Sequence, residues 1–314
     1  MKRMFIIGCP RSGTTWTAML LAQHPEIQAC QQIGAVAALD VFHRYWEKGE
    51  RRPHTRYISS VIRFGGATMA AAAPTYEPLM TRAEMIEISR SVLDQVYALA
   101  AAKRPGCRVV VDTTPENVRV PELIAELMPD ARFLHLIRDP RSVFASHRNG
   151  TKDFGATFPT DPVGSASFWR KDVLRGRQLA ALTPHYRELR YESLKQNGPA
   201  ELCAILEWLG VTADPAWCAD AIAKTSVEKL QGTSGTPTSF FRSGKAAGWR
   251  DELTPRQLHA VEFYARDLMI DLGYEPALAN STRKPAGMIV RDVAELVTTR
   301  ARNATRWLRQ RASS

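Results

Sequence analysis

The stretch Met4 to Trp16, MFIIGCPRSGTTW, limits the folds open to this chain more than any other. Met4 to Ile7 is an apolar run of strand length. Gly8, Pro10, Ser12 and Gly13 make a loop of small and turn-forming residues, and Trp16, Met19, Leu20 and Leu21 then recur at helical spacing. A strand, a glycine loop and a helix start form a site for an anion, because the first-turn N–H groups of a helix have no partner within it. Glycine lets that backbone come close to a phosphate. Thr14 and Thr15 add hydroxyl donors, and Arg11 adds a fixed cation with a forked donor set. The spacing Gly8-x-x-x-x-Gly13 imitates the loop that holds nucleoside triphosphates, but Thr14 stands where that loop needs Lys. Glycines serving a turn and nothing else would account for the loop, but not for Arg, Ser and two Thr crowded into it.

The rest of the chain repeats the same alternation. After the first helix, expected to end near His24-Pro25, residues 31–80 lack a clear period and read as an irregular helical insertion able to cover a cleft. Thr81-Arg82-Ala83-Glu84 is a capping box opening a helix with Ile86, Val92, Leu93, Val96 and Leu99 inward. Two apolar runs follow, Arg108–Val111 and Phe133–Ile137, separated by a helix from about Pro121 to Met128. The first ends in Asp112-Thr113-Thr114-Pro115, the second in Arg138-Asp139-Pro140-Arg141-Ser142, where Asp139 can cap and Pro140 can open a helix. Residues 150–164 read as loop, Ala166–Leu182 and Ala200–Leu209 as helices, Glu188–Tyr191 as a strand, and Thr254 caps a last helix to about Leu272. Apolar strands alternating with helices predict an α/β fold: a doubly wound parallel sheet flanked by helices. Ligands gather at the carboxyl ends of such strands, where Gly8–Thr15, Asp112–Pro115 and Arg138–Ser146 all fall.

At 314 residues the chain has ample length for one large core, expected over residues 1–280 with the covering insertion at about 31–105. The net charge of +10 points to anionic ligands or surfaces. Part of it sits in a basic amphipathic tail, residues 281–314, where Ile289, Val293, Leu296, Trp307 and Leu308 fall near one helical face. That pattern suits an interfacial helix on an anionic membrane or a helix docked on protein. The cysteines Cys9, Cys30, Cys107, Cys203 and Cys218 contain no C-x-x-C pair, so neither a zinc site nor a disulfide framework is indicated. A reducing cytoplasm is the expected setting, with peripheral contact on the inner face of a membrane as its variant. No apolar run approaches the ~18 residues of a membrane span. No metal and no nucleic acid is implied; a homo-oligomer stays open.

With these motifs in place, the chain resembles the sulfotransferases that use 3′-phosphoadenosine 5′-phosphosulfate (PAPS) and release adenosine 3′,5′-bisphosphate (PAP). CPRSGTTW is similar to their loop for the 5′-phosphosulfate, which implies Pro10, Arg11, Ser12, Gly13, Thr14, Thr15 and Trp16 at the donor. IRDPRSVFASHR is similar to their 3′-phosphate segment, whose Arg and Ser would be Arg138 and Ser146. RYESLKQNGPAELCAILEWLG resembles the next block, in which Tyr191 would lie against adenine, and Thr225-Ser226 a short adenine-side motif. FFRSGKAAGWRDELT resembles the late glycine loop, in which Arg242, Ser243 and Gly244 would close over the 3′-phosphate; Ala247 stands where the family usually has Gly. Arg11 together with R-D-P-R is more like the carbohydrate and protein-tyrosine branches than the small-phenol branch. The resemblance implies in-line sulfuryl transfer to a hydroxyl-bearing acceptor, a carbohydrate, glycolipid or similar, without a metal.

In such a transfer the protein's task is to place donors where charge grows, and Arg11, Thr14 and Thr15 fit that role. The acceptor hydroxyl also needs a base, which the resemblance places on a His or a carboxylate. One branch of the family uses a Glu pair after the first helix, where this chain has Gln31-Gln32, and glutamine cannot take a proton. Asp112, at a strand mouth beside Thr113 and Thr114, is the expected base, with Glu116 as its substitute. The competing role for Asp112 is to cap its own turn. His43, His135 and His147 read as structural. Two other functions compete: a P-loop kinase using Asp112 to hold magnesium, and a non-catalytic nucleotide- or membrane-binding module.

Overall fold

The computed structural model describes residues 1–48, 81–154, 158–225 and 248–278. Five strands form one parallel sheet: β1 (Lys2–Ile7), β2 (Ile27–Cys30), β3 (Val109–Asp112), β4 (Arg132–Ile137) and β5 (Tyr186–Arg190), in the order β2-β3-β1-β4-β5. Register is continuous across its centre, with Phe5 opposite Asp112 on one side and Phe133 on the other. The doubly wound parallel sheet expected from the alternation is therefore present. With every strand parallel, the ends of β1, β3 and β4 open on the same edge, beneath their loops.

The alternation of β1 divides its side chains between two faces. Met4 and Ile6 join the core under α1 (Thr14–Leu21), α8 (Gly198–Leu209) and α9 (Pro215–Lys224). Phe5 and Ile7 join the opposite core under α3 (Arg82–Ala102) and α4 (Pro121–Leu127), to which α2 (Ala35–Lys48) contributes Val36. Phe5 stacks on Phe133 at 5.4 Å and meets Tyr97 edge-on at 6.0 Å. A third core joins α5 (Pro140–Phe154), α6 (Pro162–Leu182) and α11 (Pro255–Asp271) at the end of β4. The remaining short elements are a 3-10 helix at Pro115–Arg119, α7 (Tyr191–Gln196) and α10 (Trp249–Glu252).

The caps read from the sequence form. Thr81 and Glu84 close a capping box, and Thr254 and Gln257 close another. The first helix differs from expectation: it ends at Leu21, and Ile27–Cys30 is an edge strand. In α3, Ile86 and Leu93 point inward as expected, but Val92 and Leu99 are exposed, at 40% and 70%; Met85, Ser89 and Tyr97 complete the buried face. So α3 is a core helix of the sheet rather than part of a loose cover. The expected loop over 150–164 is partly helical, since α5 reaches Phe154 and α6 begins at Pro162. Residues 49–80, the core of the expected insertion, and the tail 281–314 lie outside the described residues.

Candidate active site

The loop after β1 is tight because its neighbours are close. Gly8 has φ 152°, and a Cβ there would lie 2.4 Å from the Leu136 carbonyl oxygen of β4. Gly13 has φ 98°, and a Cβ there would lie 2.5 Å from the Tyr191 ring. Between them Arg11 adopts a left-handed φ of 73°, a costly conformation for a side chain with a Cβ. No side chain caps α1 and no acidic residue occupies its first turn, so the N–H groups of that turn could hold an anion.

The loop after β4 lies against it. Arg11 donates from Nε to the Ser146 Oγ at 2.9 Å, and Arg138 donates from Nη1 to the Arg11 carbonyl oxygen at 3.1 Å. The Arg138 guanidinium lies 4.5 Å from the centre of the Tyr191 ring, and its Nε is buried without a hydrogen-bond partner. Ser12 Oγ is likewise buried and unpartnered. Thus the two expected phosphate-holding segments, 135 residues apart at Arg11 and Ser146, form one cluster.

Several side chains that the sequence did not single out for this purpose brace the cluster. Trp169 donates its indole N–H to the Arg138 carbonyl oxygen at 2.9 Å. His147 contacts the Pro10 carbonyl oxygen through Nε2 at 3.2 Å and the Ser165 hydroxyl through Nδ1 at 2.9 Å. Burial lowers the imidazole to about 4, with Arg11 adding to the shift and the Pro10 bond opposing it. The neutral ring therefore donates from Nε2 and accepts at Nδ1, which fixes the loop carbonyl. Behind the second loop, Arg141 forms buried ion pairs with Asp139 at 2.7 Å and Glu262 at 2.6 Å, and sits 4.0 Å over the Trp249 ring. Glu262 also accepts from the Ala277 and Leu278 N–H groups, so α11 anchors the loop's base. R-D-P-R shows these charges in the sequence; Glu262, far along the chain, is invisible as their partner.

The adenine-side expectations resolve differently. Tyr191 opens α7 rather than ending a strand and is 5% exposed, enclosed by Gly13, Arg138 and Trp16, whose ring meets it edge-on at 5.7 Å. Trp16 donates its indole N–H to the Thr225 carbonyl oxygen at 2.8 Å, and Lys195 Nζ lies 4.9 Å over its ring. The Thr225 hydroxyl is spent on the Ala221 carbonyl oxygen at 2.8 Å. Ser226, Arg242, Ser243 and Gly244 lie outside the described residues. The described chain resumes at Gly248 and enters α10, where Arg148 of α5 donates to the Glu252 carbonyl oxygen at 3.1 Å.

Asp112 departs from its expected role. It is 1% exposed, and both carboxylate oxygens are engaged by the protein. Oδ2 accepts from the Tyr97 hydroxyl at 2.7 Å, while Oδ1 accepts from the Thr114 N–H at 2.8 Å and hydroxyl at 2.7 Å. The Thr114 Oγ1 in turn accepts from the Gly34 N–H at 3.1 Å, tying the loops after β2 and β3 together. A carboxylate so enclosed holds its turn, with both oxygens already accepting hydrogen bonds from the protein. Glu116, four residues on and in the first turn of the 3-10 helix, is exposed. At the other end of that helix Arg119 pairs with Asp172 of α6 at 3.5 Å and lies 5.0 Å over the Phe168 ring. Burial pushes Asp172 up to about 6 against the opposing pull of Arg119. Among the described residues no group of three His, Cys, Asp or Glu side chains could hold a metal ion, and no helix is long and apolar enough to cross a membrane.

Residues 3–215 match the model of the Sulfotransferase family. The chain is 28% identical, over 325 aligned positions, to the nodulation protein NoeE of Sinorhizobium fredii (strain NBRC 101917 / NGR234); the alignment covers 95% of this chain and 71% of that one. Its fold is similar to the sulfotransferase domain of the Synechococcus PCC 7002 olefin synthase, with a TM-score of 0.55 and 18% identity over 88% of this chain and 95% of that one. It is also similar to a mouse sulfotransferase complexed with PAP, with a TM-score of 0.53 and 16% identity over 87% of this chain and 86% of that one.

Proposed function

This chain belongs to the sulfotransferase family, and we propose that it moves the sulfuryl group of PAPS to a hydroxyl of a carbohydrate or glycolipid, with Glu116 as the general base. The observation that carries the donor half is the junction of the two loops at Arg11, Arg138 and Ser146. A donor with a phosphosulfate at one end and a phosphate at the other needs two cationic cradles within one ligand's reach. The uncapped start of α1 and the unpartnered Ser12 Oγ and Arg138 Nε fit an anionic ligand. PAPS supplies the sulfuryl group. The first-turn N–H groups, Ser12, Thr14 and Thr15 bind its 5′ end, and Arg138 and Ser146 bind its 3′-phosphate. Arg242, Ser243 and Gly244 keep their assignment to that phosphate by resemblance. Trp16 would hold the adenine side, with Tyr191 keeping Gly13 and Arg138 in place.

Arg11 has the bridging part. Its guanidinium already contacts the 3′-phosphate segment through Ser146 while its backbone belongs to the 5′ loop. In this reading it offsets charge growing on the transferring group, a role worth ~3–4 kcal/mol for one well-aimed donor.

Assigning the base to Glu116 follows from access. Asp112 has no free oxygen, Gln31 and Gln32 cannot take a proton, and Glu116 is an exposed carboxylate on the loop after β3. Arg11 with the R-D-P-R segment is shared by the carbohydrate and protein-tyrosine branches; Gln31-Gln32 in place of the Glu pair of the protein-tyrosine branch favours the carbohydrate side, and peripheral contact of the basic tail with an anionic membrane favours a glycolipid. Co-sedimentation with anionic liposomes should fall when residues 283–314 are deleted, and unchanged co-sedimentation would remove the membrane part.

The test is transfer of labelled sulfate from PAPS to carbohydrate, glycolipid and tyrosyl acceptors. Label should enter carbohydrate or glycolipid, and Glu116→Gln should lower kcat by roughly 10²- to 10⁴-fold while leaving PAP affinity intact. Label only in tyrosyl acceptors would refute the acceptor class. Full turnover in Glu116→Gln would refute the base.

A further inference from the structure

The helices α8 and α9, on the side of the sheet that carries α1, bring two cysteines together. Cys203 of α8 and Cys218 of α9, 15 residues apart in sequence, have their Sγ atoms at 2.6 Å. Both are free thiols, Cys203 half-buried and Cys218 buried. The packing of the two helices places the thiols side by side, Cys218 within one core and Cys203 against it. We propose that Cys203 and Cys218 form a thiol–disulfide pair, an oxidisable cross-link between α8 and α9 with Cys203 as the entering thiol and Cys218 as the resolving one.

Accessibility sets that order. The half-buried Cys203 is the one an external reagent can reach, and burial together with the adjacent Cys203 pushes Cys218 up to about 12. The oxidant is a small disulfide such as glutathione disulfide. The Cys203 thiolate attacks one of its sulfurs, its own proton going to solvent; the S–S bond breaks and one glutathione thiolate leaves. Cys218 then loses its proton and attacks the Cys203 sulfur of the mixed disulfide, forming the protein S–S bond and expelling the second glutathione. Two protein thiols are oxidised and one glutathione disulfide is reduced to two thiols.

The link would bear on the site through two contacts. The helix α9 runs to Lys224, and the next residue, Thr225, accepts the Trp16 indole N–H. Gln23, just beyond α1, donates to the Ala221 carbonyl oxygen of α9 at 3.1 Å. A cross-link to α8 therefore fastens the helix on which the Trp16 side of the first loop rests. This inference does not depend on the identity of the acceptor or of the donor.

The experiment equilibrates reduced, full-length protein with mixtures of glutathione and its disulfide, quenches by alkylation, and maps peptides by mass spectrometry without reduction. A Cys203–Cys218 linked pair should accumulate as the mixture becomes oxidising and vanish with dithiothreitol. Cys218→Ser should instead retain glutathione on Cys203. The oxidised wild type should melt roughly 5 °C above the reduced form, a shift absent when both cysteines are serine. Recovery of both cysteines as separate alkylated or glutathione-bearing residues at every mixture would overturn the proposal, as would linkage of either to another cysteine. Mapping of the wild type decides this by itself, so a variant that fails to fold leaves the test intact.

Discussion

Arg138 faces three ways: its Nη1 holds the Arg11 carbonyl, its guanidinium lies over Tyr191, and its Nε has no hydrogen-bond partner. Removing it takes away the proposed phosphate ligand and a brace of the neighbouring loop together. Arg138→Ala should weaken PAP binding by roughly 10- to 100-fold, the worth of a charge-assisted hydrogen bond, as read by calorimetric titration. Ser146→Ala should also weaken it, because the hydroxyl both binds and orients Arg11. His147 gives a pH signature. Its pKa drops from the usual 6.5 to about 4 in the folded chain, so between those values the unfolded chain binds the extra proton. Its contribution is present above pH 6.5 and is lost as pH falls toward 4, by roughly 3 kcal/mol in all. Urea unfolding from pH 7 to 4 should show that loss in the wild type, and the pH slope should be shallower in His147→Gln. An identical slope in the two would mean the ring is not held neutral.

Among the elements, the central strands were the most legible. Met4–Ile7, Val109–Val111 and Phe133–Ile137 are covered on both faces and so read as apolar runs. The edge strand Ile27–Cys30 is short and covered mainly at Ile27, so its four residues gave no strand pattern. In α3 the capping box marked the start correctly, but Val92 and Leu99 were placed inward because hydrophobicity alone cannot choose between adjacent stripes of a helix. The α5 start was readable from Asp139-Pro140; what secures it was not. Glu262 reaches from α11 to the buried Arg141, so Glu262→Ala leaves a buried guanidinium with one carboxylate fewer and two N–H groups of the Ala277–Leu278 turn unsatisfied. We expect it to cost about 3–5 kcal/mol of stability in denaturant titration, with loss of PAP binding following from loss of the fold. A stability change under 1 kcal/mol would show the network to be dispensable.

At the scale of the molecule, strand order does what no local pattern can. The order β2-β3-β1-β4-β5 sets the loops after β1 and β4 side by side, and this brings Arg11 to Ser146. The three strand-end segments could be named from sequence because each carries its own chemistry. Their mutual contacts could not, since each depends on partners tens to hundreds of residues away. Asp112 shows the cost: the sequence offers it both as a base and as the cap of its own turn, and the Tyr97 hydroxyl that engages its second oxygen arrives from α3, out of reach of any local pattern. In the proposed function the adjoining loops grip the two ends of one donor nucleotide. Calorimetric titration of PAP, adenosine 5′-monophosphate and ATP against the wild type and Ser146→Ala tests it directly. PAP should bind the wild type at least tenfold more tightly than either other nucleotide, and Ser146→Ala should weaken PAP while leaving adenosine 5′-monophosphate unchanged. Equal affinities for PAP and adenosine 5′-monophosphate in the wild type would contradict the account.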